Sequence, residues 1–439
     1  MKHTSNRGNM DVVIAANAFC IRAHAGQKRA QGTPYHEHPQ AVRQLLMALC
    51  DACDVVASED LQAAALLHDV IEDTDATSDI LEREFNETIA DWVHLLSKPV
   101  LDVGNKKLRD DAYYKRLLDA NDDSVRLLEI ADRLHNLSEL YLVDNEKRVR
   151  SYLDATLSQV LPLATHMHDE RLRLGTTAAM LEAMRCSTRA SHIPALQYGI
   201  EDPAAPTHQS ALPLGVCAVV EVTPQTDHTI FYRRVDEVLL AGIRVLLLQS
   251  RELSIRALHP IAEKLLEKCQ QREAILLVDG RADLAWLIGA HGVVLGLTDL
   301  PAAGIRALSP PGFLIANSTN TSSQFQNSLE QERLHRGLLD CIFVEPVFRS
   351  RDTQKGAPDV GSSTFTQHVQ ESDLPVVGGG GVETPLRIAS VARSGGHMAT
   401  CKSALEPTQN EGRSTALAST ILQVAFFAAR AQRGLPRRQ

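Results

Sequence analysis

Two pairs of polar side chains interrupt an apolar run in the N-terminal half of the chain, in "AALLHDVIEDT" at residues 64–74. His68 and Asp69 form the first pair, and Glu72 and Asp73 follow at helical spacing. On a helix, each member of the first pair shares a face with the residue four positions later. A histidine and an aspartate can together hold a divalent cation, which makes water nucleophilic near neutral pH. Carboxylates one turn further along can accept the proton of that water.

An isolated His–Asp pair more often lies on a solvated helix face, so the metal hypothesis depends on two neighbouring segments. "AHAGQKRAQGTPYHEHP" precedes the pair and places His38 before Pro39 at the start of a helix. "EIADRLHNLSEL" follows it and carries Asp132 and Asn136 one helical turn apart. Three helices therefore offer a mixed set of nitrogen and oxygen ligands, which suits Mn²⁺, Fe²⁺ or Zn²⁺. The candidate ligands are His38, His68, Asp69 and Asp132.

The elements that position these residues are helices, predicted over most of residues 10–185 from apolar positions at three-to-four spacing. Residues 186–210 are rich in proline and have no periodic apolar face, which is typical of a linker. Over residues 211–430, short apolar runs alternate with helical ones, and this pattern predicts a parallel (β/α)₈ barrel. A chain of 439 residues is also too long for one ordinary domain. The predicted fold class is therefore multidomain, an all-α helical bundle at 1–185 followed by an α/β TIM barrel.

Composition and charge argue against several classes of function. The net charge is −9 and basic residues are not concentrated in a block, so a dedicated nucleic-acid surface is not expected. No signal-peptide pattern and no membrane-spanning apolar run occur, so we expect a cytoplasmic protein without membrane association. The 8 scattered cysteines suit a reducing compartment. Cys50 and Cys53 form a C-x-x-C pair, for which helix packing is favoured over a redox or zinc site.

The three N-terminal segments together closely resemble the hydrolase domain of RelA/SpoT homologues. The shared order is H-x-GQ-x-R-x-x-G-x-PY-x-x-HP, then HDVIEDT, then ADRLHN, and the resemblance spans residues 10–185. These relatives are HD-superfamily enzymes that remove the 3′-pyrophosphate from the alarmone (p)ppGpp. The resemblance therefore implies an all-α HD domain that works as a metal-dependent pyrophosphohydrolase.

The resemblance also implies roles for individual residues. Glu72 and Asp73 match the catalytic pair that positions and activates the attacking water. Arg29 and Asn136 match residues that line the nucleotide pocket. His24 matches the motif too, either as a substrate contact or as a residue that packs or caps its loop. The residues that match the ligands of Mn²⁺ or another divalent metal are His38, His68, Asp69 and Asp132.

Departures from the family leave several alternatives open. Ala30 follows Arg29 where many relatives carry a second basic residue, which predicts a weaker contact with the base. His36 is expected to be a surface variation, and His135 to pack beside the metal ligands rather than to be one. No alarmone-synthetase sequence follows this domain, so we expect it to degrade the nucleotide. Because related stand-alone hydrolases act on other phosphorylated nucleotides, NADPH is the alternative substrate.

Polar residues of the second half collect after the predicted strands, where the active sites of such barrels lie. After the seventh strand comes a glycine run, Gly378 to Gly381, whose bare amides can cradle a phosphate. The candidate ligand-binding residues of the barrel are Arg251, Asp279, Asp299, Ser318, Lys355, Gly379, Gly380 and Gly381.

Three segments of this half resemble thiamine-phosphate synthases and the related TenI-type thiazole tautomerases. "LLVDGRADLAWLIGAHGVVLGLTDLP" is similar to their central motif, and "VEPVFRSRDTQKGAP" to their G-P-x-F-x-T-x-T-K segment. "PVVGGGGV" is similar to their phosphate loop, and together the segments cover residues 211–405. The resemblance implies a barrel that binds a thiamine precursor phosphate, with Mg²⁺ as its cofactor.

Several substitutions weaken the synthase interpretation. Gly280 stands where the synthases have one of two Mg²⁺-binding aspartates, whereas Asp299 preserves the other. Glu345 replaces the glycine that begins G-P-x-F, and "VLGL" at 294–297 replaces H-L-G-Q. Because Mg²⁺ must neutralise the departing pyrophosphate in such a coupling, synthase activity is not favoured. We expect instead a degenerate barrel that binds a phosphorylated ligand, acts like a tautomerase, or regulates.

The leading hypothesis is hydrolysis of the 3′-pyrophosphate of (p)ppGpp by the N-terminal domain. One alternative is a bifunctional enzyme that also makes thiamine phosphate. Another is a non-catalytic regulator that responds to nucleotide or thiamine. The expected partners are small molecules, namely the nucleotide and a thiamine precursor phosphate, with no nucleic acid and no membrane. The chain is compatible with a homo-oligomer.

Overall fold

The computed structural model describes residues 11–98, 106–193, 198, 212–349, 359–402 and 415–433. The chain divides into two compact units between Met184 and Arg185. Lys355 and most of the predicted linker lie outside the described residues. None of the helices in these ranges has the length and apolar character needed to cross a bilayer.

Helices joined by short turns make up the described residues of the N-terminal unit, as the sequence predicts. They are α1 Val12–Ala23, α2 Glu37–Ala52, α3 Glu59–Leu67, α4 Val70–Asp73, α5 Ser78–Glu84, α6 Glu87–Leu96, α7 Lys106–Asp119, α8 Asp123–Ser138, α9 Glu146–Ala155, α10 Leu161–Thr165 and α11 Glu170–Ala190. A 3₁₀ turn at Leu140–Leu142 follows α8, and a π-helical segment at Thr156–Val160 joins α9 to α10. Helix α11 continues beyond residue 186, where the sequence predicts a linker.

Helices α2, α3 and α8 pack against one another and carry the predicted metal ligands. Helix α3 begins after Ser58, whose hydroxyl accepts a hydrogen bond of 3.1 Å from the Leu61 amide. Helix α8 begins after Asp122, whose carboxylate accepts one of 2.8 Å from the Ser124 amide. Leu45 and Leu49 of α2 are fully buried, so the apolar face of that helix anchors it in the core.

The helix predicted through "HDVIEDT" is interrupted at the His–Asp pair, so the expectation of one continuous helix is wrong. Helix α3 ends at Leu67 and α4 begins at Val70, and Asp69 between them has φ −97° and ψ −6°, at the margin of the right-handed helical region. The Asp73 amide still donates to the Asp69 carbonyl at 2.9 Å. Asp69 and Asp73 therefore stay on one side of the chain, while His68 is buried at the break.

In the described part of the C-terminal unit, parallel strands close into a barrel in the order β1 to β8, which confirms the predicted fold class. The strands are β1 Gly215–Glu221, β2 Val245–Gln249, β3 Ile275–Asp279, β4 Gly292–Leu295, β5 Leu314–Thr319, β6 Cys341–Val344, β7 Val376–Gly378 and β8 Met398–Cys401. The helices are α12 His228–Leu240, α13 Ile255–Gln271, α14 Ala282–Ile288, α15 Ala302–Leu308, α16 Ser322–Leu334, α17 Ser362–Glu371, α18 Pro385–Arg393 and α19 Thr415–Arg430.

The strands are short runs of apolar residues because both faces of a parallel sheet are covered. Val219, Leu247 and Phe343 belong to the buried cluster that fills the barrel. This cluster leaves the polar residues at the strand ends, where β3 ends at Asp279 and Glu345 follows β6. The core thus places the candidate polar residues at the carboxyl edge of the barrel.

Gly292 begins β4 at a point where the backbone of β5 approaches closely. It pairs with Leu314, and a Cβ atom at position 292 would lie 2.6 Å from the Leu314 Cβ. Gly292→Ala is therefore expected to lower the free energy of unfolding of the barrel by about 1–3 kcal/mol, measured in urea. Gly304→Ala in α15 is the control, because no atom lies within 4 Å of its Cβ position. Equal urea midpoints for the two variants would contradict this explanation of Gly292.

Candidate functional site

Four side chains from α2, α8 and the break between α3 and α4 converge in the N-terminal unit. The His38 Nε2 lies 3.0 Å from the Asp132 Oδ1 and 3.4 Å from the Asp69 Oδ2. The His68 Nε2 lies 3.1 Å from the Asp69 Oδ2 and 3.8 Å from the Asp132 Oδ1. One ligand atom from each of His38, His68 and Asp69 lies within 4.8 Å of the others, which allows a shared metal ion.

The orientation of the His68 ring is consistent with metal binding. Its Nδ1 lies 2.9 Å from the Ala65 carbonyl oxygen, which can only accept, so we assign the ring hydrogen to Nδ1. The Nε2 then carries a lone pair, is buried, and has no hydrogen-bond partner among the described residues. A buried lone pair that faces two carboxylates is unfavourable unless a cation lies between them. The residues present therefore fit a bound divalent cation.

The electrostatics of the four groups favour positive charge at the same place. Burial lowers the pKa of both His38 and His68, but the nearby carboxylates of Asp69 and Asp132 outweigh burial and raise both pKa values. Burial raises the pKa of Asp69 and Asp132, but the two imidazoles outweigh it and lower both pKa values. A proton or a metal ion can supply the positive charge that these carboxylates stabilise.

His135 connects a predicted metal ligand to a residue of the predicted nucleotide pocket. Its Nδ1 lies 2.9 Å from the His38 Nδ1, and its Nε2 lies 3.8 Å from the Glu139 Oε1. Burial and the charge of His38 hold the pKa of His135 well below its usual value, so its ring is neutral. With its hydrogen on Nε2, His135 accepts the hydrogen bond from the His38 Nδ1, which leaves the His38 Nε2 lone pair for a metal. Glu139 in turn accepts a hydrogen bond of 2.6 Å from Arg29.

Asp73 is held by a tyrosine that sequence reasoning missed. The Tyr35 Oη lies 2.7 Å from the Asp73 Oδ2 and 2.8 Å from the Asp69 Oδ2. Burial and these carboxylates raise the pKa of Tyr35, so the phenol keeps its hydrogen. One hydrogen can be donated to one carboxylate at a time, which couples the position of Asp73 to that of a predicted metal ligand. The signal was in the "PY" of the first motif, to which no role was assigned.

Glu72 has a different partner, which sequence reasoning also missed. The Lys98 Nζ lies 3.4 Å from the Glu72 Oε1, and the Lys98 amide donates to the Glu72 Oε2 at 3.3 Å. Burial lowers the pKa of Lys98, but the charge of Glu72 outweighs burial and the pKa is raised. Lys98 therefore places a stable positive charge beside the predicted catalytic pair. No feature of "LLSKPV" marks this lysine in the sequence.

The three residues predicted to contact the nucleotide lie beside this cluster. The Asn136 Nδ2 donates to the Asp132 Oδ1 at 2.7 Å, and the Arg29 Nη2 donates to the Asn136 Oδ1 at 3.1 Å. His24 is buried, stacks on Tyr35 with ring centroids 4.7 Å apart, and has its Nδ1 2.7 Å from the Gln27 Oε1. These contacts agree with the packing alternative for His24, whose role as a substrate contact stays a prediction.

At the carboxyl edge of the barrel, the predicted residues Asp279 and Asp299 lie near each other, whereas the predicted residue Ser318 makes no side-chain hydrogen bond with them. The Asp299 Oδ2 accepts a hydrogen bond of 2.7 Å from the Gly296 amide, and a Cβ at Gly280 would lie 3.0 Å from the same oxygen. Burial and the charge of Asp299 raise the pKa of Asp279, whereas Arg251 opposes them. Ser318 pairs with Phe343 through the backbone and has no side-chain hydrogen bond within the described ranges.

The glycine run packs against the segment that follows β6. The amides of Val347 and Phe348 donate to the carbonyls of Gly379 and Gly380 at 2.7 and 3.2 Å. A Cβ at Gly379 would overlap the Glu345 carboxylate, and one at Gly380 would lie 2.6 Å from the Pro346 Cα. The glycines are therefore required by this packing, and their predicted contact with a phosphate stays a prediction.

Comparisons with known proteins match the two units separately. Residues 16–166 match the family model of the HD domain, and residues 218–405 match that of thiamine monophosphate synthase. The GTP pyrophosphokinase rsh of Brucella ovis is 36% identical over 168 residues, which are 38% of this chain and 22% of that protein. The chain thus spans about a fifth of the length of this relative. The thiamine-phosphate synthase of Anaeromyxobacter dehalogenans is 35% identical over 161 residues, 37% of this chain and 68% of that protein.

Solved structures also resemble each unit. A thiamine phosphate pyrophosphorylase from Pyrococcus furiosus has a TM-score of 0.41 and 21% identity, and the match covers 48% of this chain and 96% of that one. A metazoan ortholog of SpoT that hydrolyzes ppGpp has a TM-score of 0.34 and 23% identity, and the match covers 40% of this chain and 96% of that one.

The contacts of Asp132 with the two imidazoles predict that its carboxylate is needed for metal binding. Asp132→Asn is expected to lower the affinity for Mn²⁺ by about 10–100-fold or more, because a charged ligand atom is lost from the cluster. Isothermal titration calorimetry of chelator-treated protein measures this change. Asp91→Asn, at an exposed position on α6, is the matched control and is expected to keep the wild-type affinity. An equal loss in both variants would show that Asp132 has no special part in holding the metal.

Proposed function

The chain belongs to the thiamine monophosphate synthase family through its barrel, and it carries an HD domain related to that of RelA/SpoT homologues. From this premise, we propose that its N-terminal unit is a metal-dependent pyrophosphohydrolase. The proposed reaction removes the 3′-pyrophosphate of (p)ppGpp. The convergence of two imidazoles and two carboxylates from three helical segments carries the proposal. The proposed domains are residues 1–185 and 211–430, with a linker at 186–210.

We propose Mn²⁺ as the metal, with another divalent cation as the alternative. When bound, the cation supplies a water molecule of lowered pKa and neutralises charge on a phosphate oxygen. The protein aims both histidines at the site through Nε2, because the Nδ1 of His68 is engaged by Ala65 and that of His38 by His135. These contacts fix the rings before the metal arrives, which lowers the cost of ordering them.

Glu72 and Asp73 are proposed to orient the attacking water and to accept its proton. Tyr35 holds the Asp73 carboxylate on the side of the chain that also carries Asp69. Lys98 places a positive charge beside Glu72, where it is available to an oxygen of the departing pyrophosphate. The water oxygen would bond to the phosphorus attached to the 3′ oxygen as the bond between that phosphorus and the 3′ oxygen breaks. The proton that Glu72 or Asp73 takes from the water would then pass to the leaving 3′ oxygen.

Arg29 and Asn136 are proposed to contact the nucleotide, since they connect to each other and to Asp132 at the edge of the cluster. We favour (p)ppGpp because the first, second and third motifs of the RelA/SpoT-type hydrolase domain all occur in order. NADPH is the alternative substrate, because the same cluster can serve another nucleotide phosphate when the contacts around the base differ.

For the barrel we propose ligand binding or regulation rather than synthesis of thiamine phosphate. The Asp299 carboxylate fills the space over Gly280, where the synthases carry a further aspartate. Asp279 and Asp299 remain as oxygen ligands for Mg²⁺, with Arg251 close enough to affect the charge of Asp279. With only this acidic pair to hold Mg²⁺, the barrel would neutralise the negative charge of a pyrophosphate leaving group less well than a complete Mg²⁺ site would.

Purified protein supplied with Mn²⁺ is expected to release pyrophosphate from ppGpp, which ³¹P NMR detects directly. Asp69→Ala and Glu72→Ala should each lower kcat by about 10²–10⁴-fold, because one removes a ligand and the other a group that handles the proton. Asp91→Ala and Glu82→Ala are matched controls on exposed positions and should keep the wild-type rate.

Two outcomes would change the assignment. Tight binding of ppGpp without release of pyrophosphate would mean that the unit is a regulator and not a hydrolase. Faster release of phosphate from NADPH than of pyrophosphate from ppGpp would move the substrate to NADPH and leave the roles of the metal ligands intact.

The barrel is expected to form no thiamine phosphate from the two precursor phosphates in the presence of Mg²⁺. The physical reason is the missing carboxylate at Gly280 and the carboxylate of Glu345 beside the glycine run. Chromatography with fluorescence detection of the oxidised product measures this activity, with an active synthase as the positive control. Formation of thiamine phosphate at a rate comparable to that control would establish a bifunctional enzyme.

A further inference from the structure

Glu345 lies at the carboxyl edge of the barrel, directly after β6. Its amide donates to the Thr319 carbonyl at 3.0 Å, which continues the pairing of β6 with β5. On the other side, the Gly379 amide donates to the Val344 carbonyl at 3.0 Å. The Glu345 Oε1 accepts a hydrogen bond of 2.9 Å from the Thr400 Oγ1 on β8. The carboxyl group therefore spans the edge of the barrel from β6 towards β8.

This carboxyl group rests on the backbone of the glycine run. A Cβ at Gly379 would overlap both the Glu345 Oε1 and the Thr400 Oγ1, so glycine is required there by Glu345. A Cβ at Gly381 would likewise overlap the carbonyl oxygen of Phe348. The segment from Glu345 to Phe348 and the glycine run thus fit each other along their length.

The glycine run still has amides to offer. The N–H groups of Gly380 and Gly381 have no hydrogen-bond partner within the ranges that the structure describes. Both residues have left-handed backbone conformations, with φ of +66° and +70°, which suit glycine. Unpaired amides in such a turn are groups that a phosphate oxygen would use.

The position of Glu345 works against such a phosphate. In the described part of the chain no Lys or Arg forms an ion pair with its carboxyl group, whose side-chain hydrogen bond comes from Thr400. Burial raises the pKa of Glu345 and the charge of Asp279 adds to this rise, whereas the Thr400 hydrogen bond and the charge of Lys402 oppose it. A phosphate at Gly380 and Gly381 would meet the volume of this group and, when it is ionised, its negative charge.

We propose that Glu345 determines the specificity of the barrel by closing the glycine run to phosphate. The side chain fills the space over Gly379 and leaves the next two amides close to a carboxyl group that forms no ion pair with the described residues. A phosphorylated ligand would then have to place its phosphate elsewhere in the barrel. This proposal does not depend on the activity of the N-terminal unit.

The test compares anion binding by the full chain with Glu345, with Glu345→Gly and with Glu345→Gln. All three carry Asp69→Ala and are kept free of metal, so that the N-terminal cluster does not bind the probe. The probes are inorganic pyrophosphate and thiamine phosphate, with thiamine as the phosphate-free control, and calorimetry measures their affinities. Glu345→Gly should bind both phosphate probes at least tenfold more tightly than the parent, with no such gain for thiamine. The affinity of Glu345→Gln for the phosphate probes should lie between those of the parent and Glu345→Gly, because this change removes the charge of the side chain and keeps its volume.

Glu330→Gln, an exposed position on α16, is the matched control for loss of one negative charge and should leave binding unchanged. Thermal unfolding of each variant confirms that the barrel is folded. Equal affinity of the parent and Glu345→Gly for pyrophosphate would overturn the proposal. Absence of phosphate-dependent binding in all folded variants would also overturn it, because removal of Glu345 would then open no anion site.

Discussion

The N-terminal unit depends on the contact between two imidazoles and two carboxylates in a largely buried place. Charged groups removed from water are costly unless partners surround them, so the helices that carry these groups must meet with the right faces. Helix α2 supplies His38, helix α8 supplies Asp132, and the break after α3 turns His68 and Asp69 towards both. The other features of the site serve this contact. Ala65 and His135 fix the two rings, and Tyr35 ties the following turn of chain to Asp69.

The barrel is constrained differently. Its interior is filled by apolar side chains, so its polar residues lie at the ends of the strands. Little space is available to side chains there, as the two departures from the synthases at Gly280 and Glu345 illustrate. At Gly280 a neighbouring carboxylate from Asp299 lies over the bare backbone. At Gly379 the carboxylate of Glu345 does the same. In both places an acidic side chain from another segment lies over the backbone of a glycine, which changes what charge the edge of the barrel can accept.

Much of this architecture follows from sequence because it depends on local patterns. Buried parallel strands are short apolar runs, and the strands of the barrel lie within residues 211–430, where such runs predict a parallel barrel. The metal-ligand candidates came from spacing within three motifs. The rest depends on contacts between distant segments, which spacing does not encode. The ion pair of Lys98 with Glu72, the bond of His135 with His38 and the overlap of Glu345 with Gly379 are of this kind. The break at Asp69 was missed because helical periodicity continues across it.

The central claim is that His38, His68, Asp69 and Asp132 hold one catalytic metal ion, and anomalous diffraction tests it most directly. Crystals of the full chain grown with Mn²⁺ would be measured on both sides of the manganese absorption edge. The account predicts a single strong peak in the N-terminal unit, within about 2.0–2.3 Å of the Nε2 atoms of both histidines and of one oxygen from each aspartate. A peak confined to the barrel, or fully occupied ordered water in place of metal among these four side chains, would contradict it.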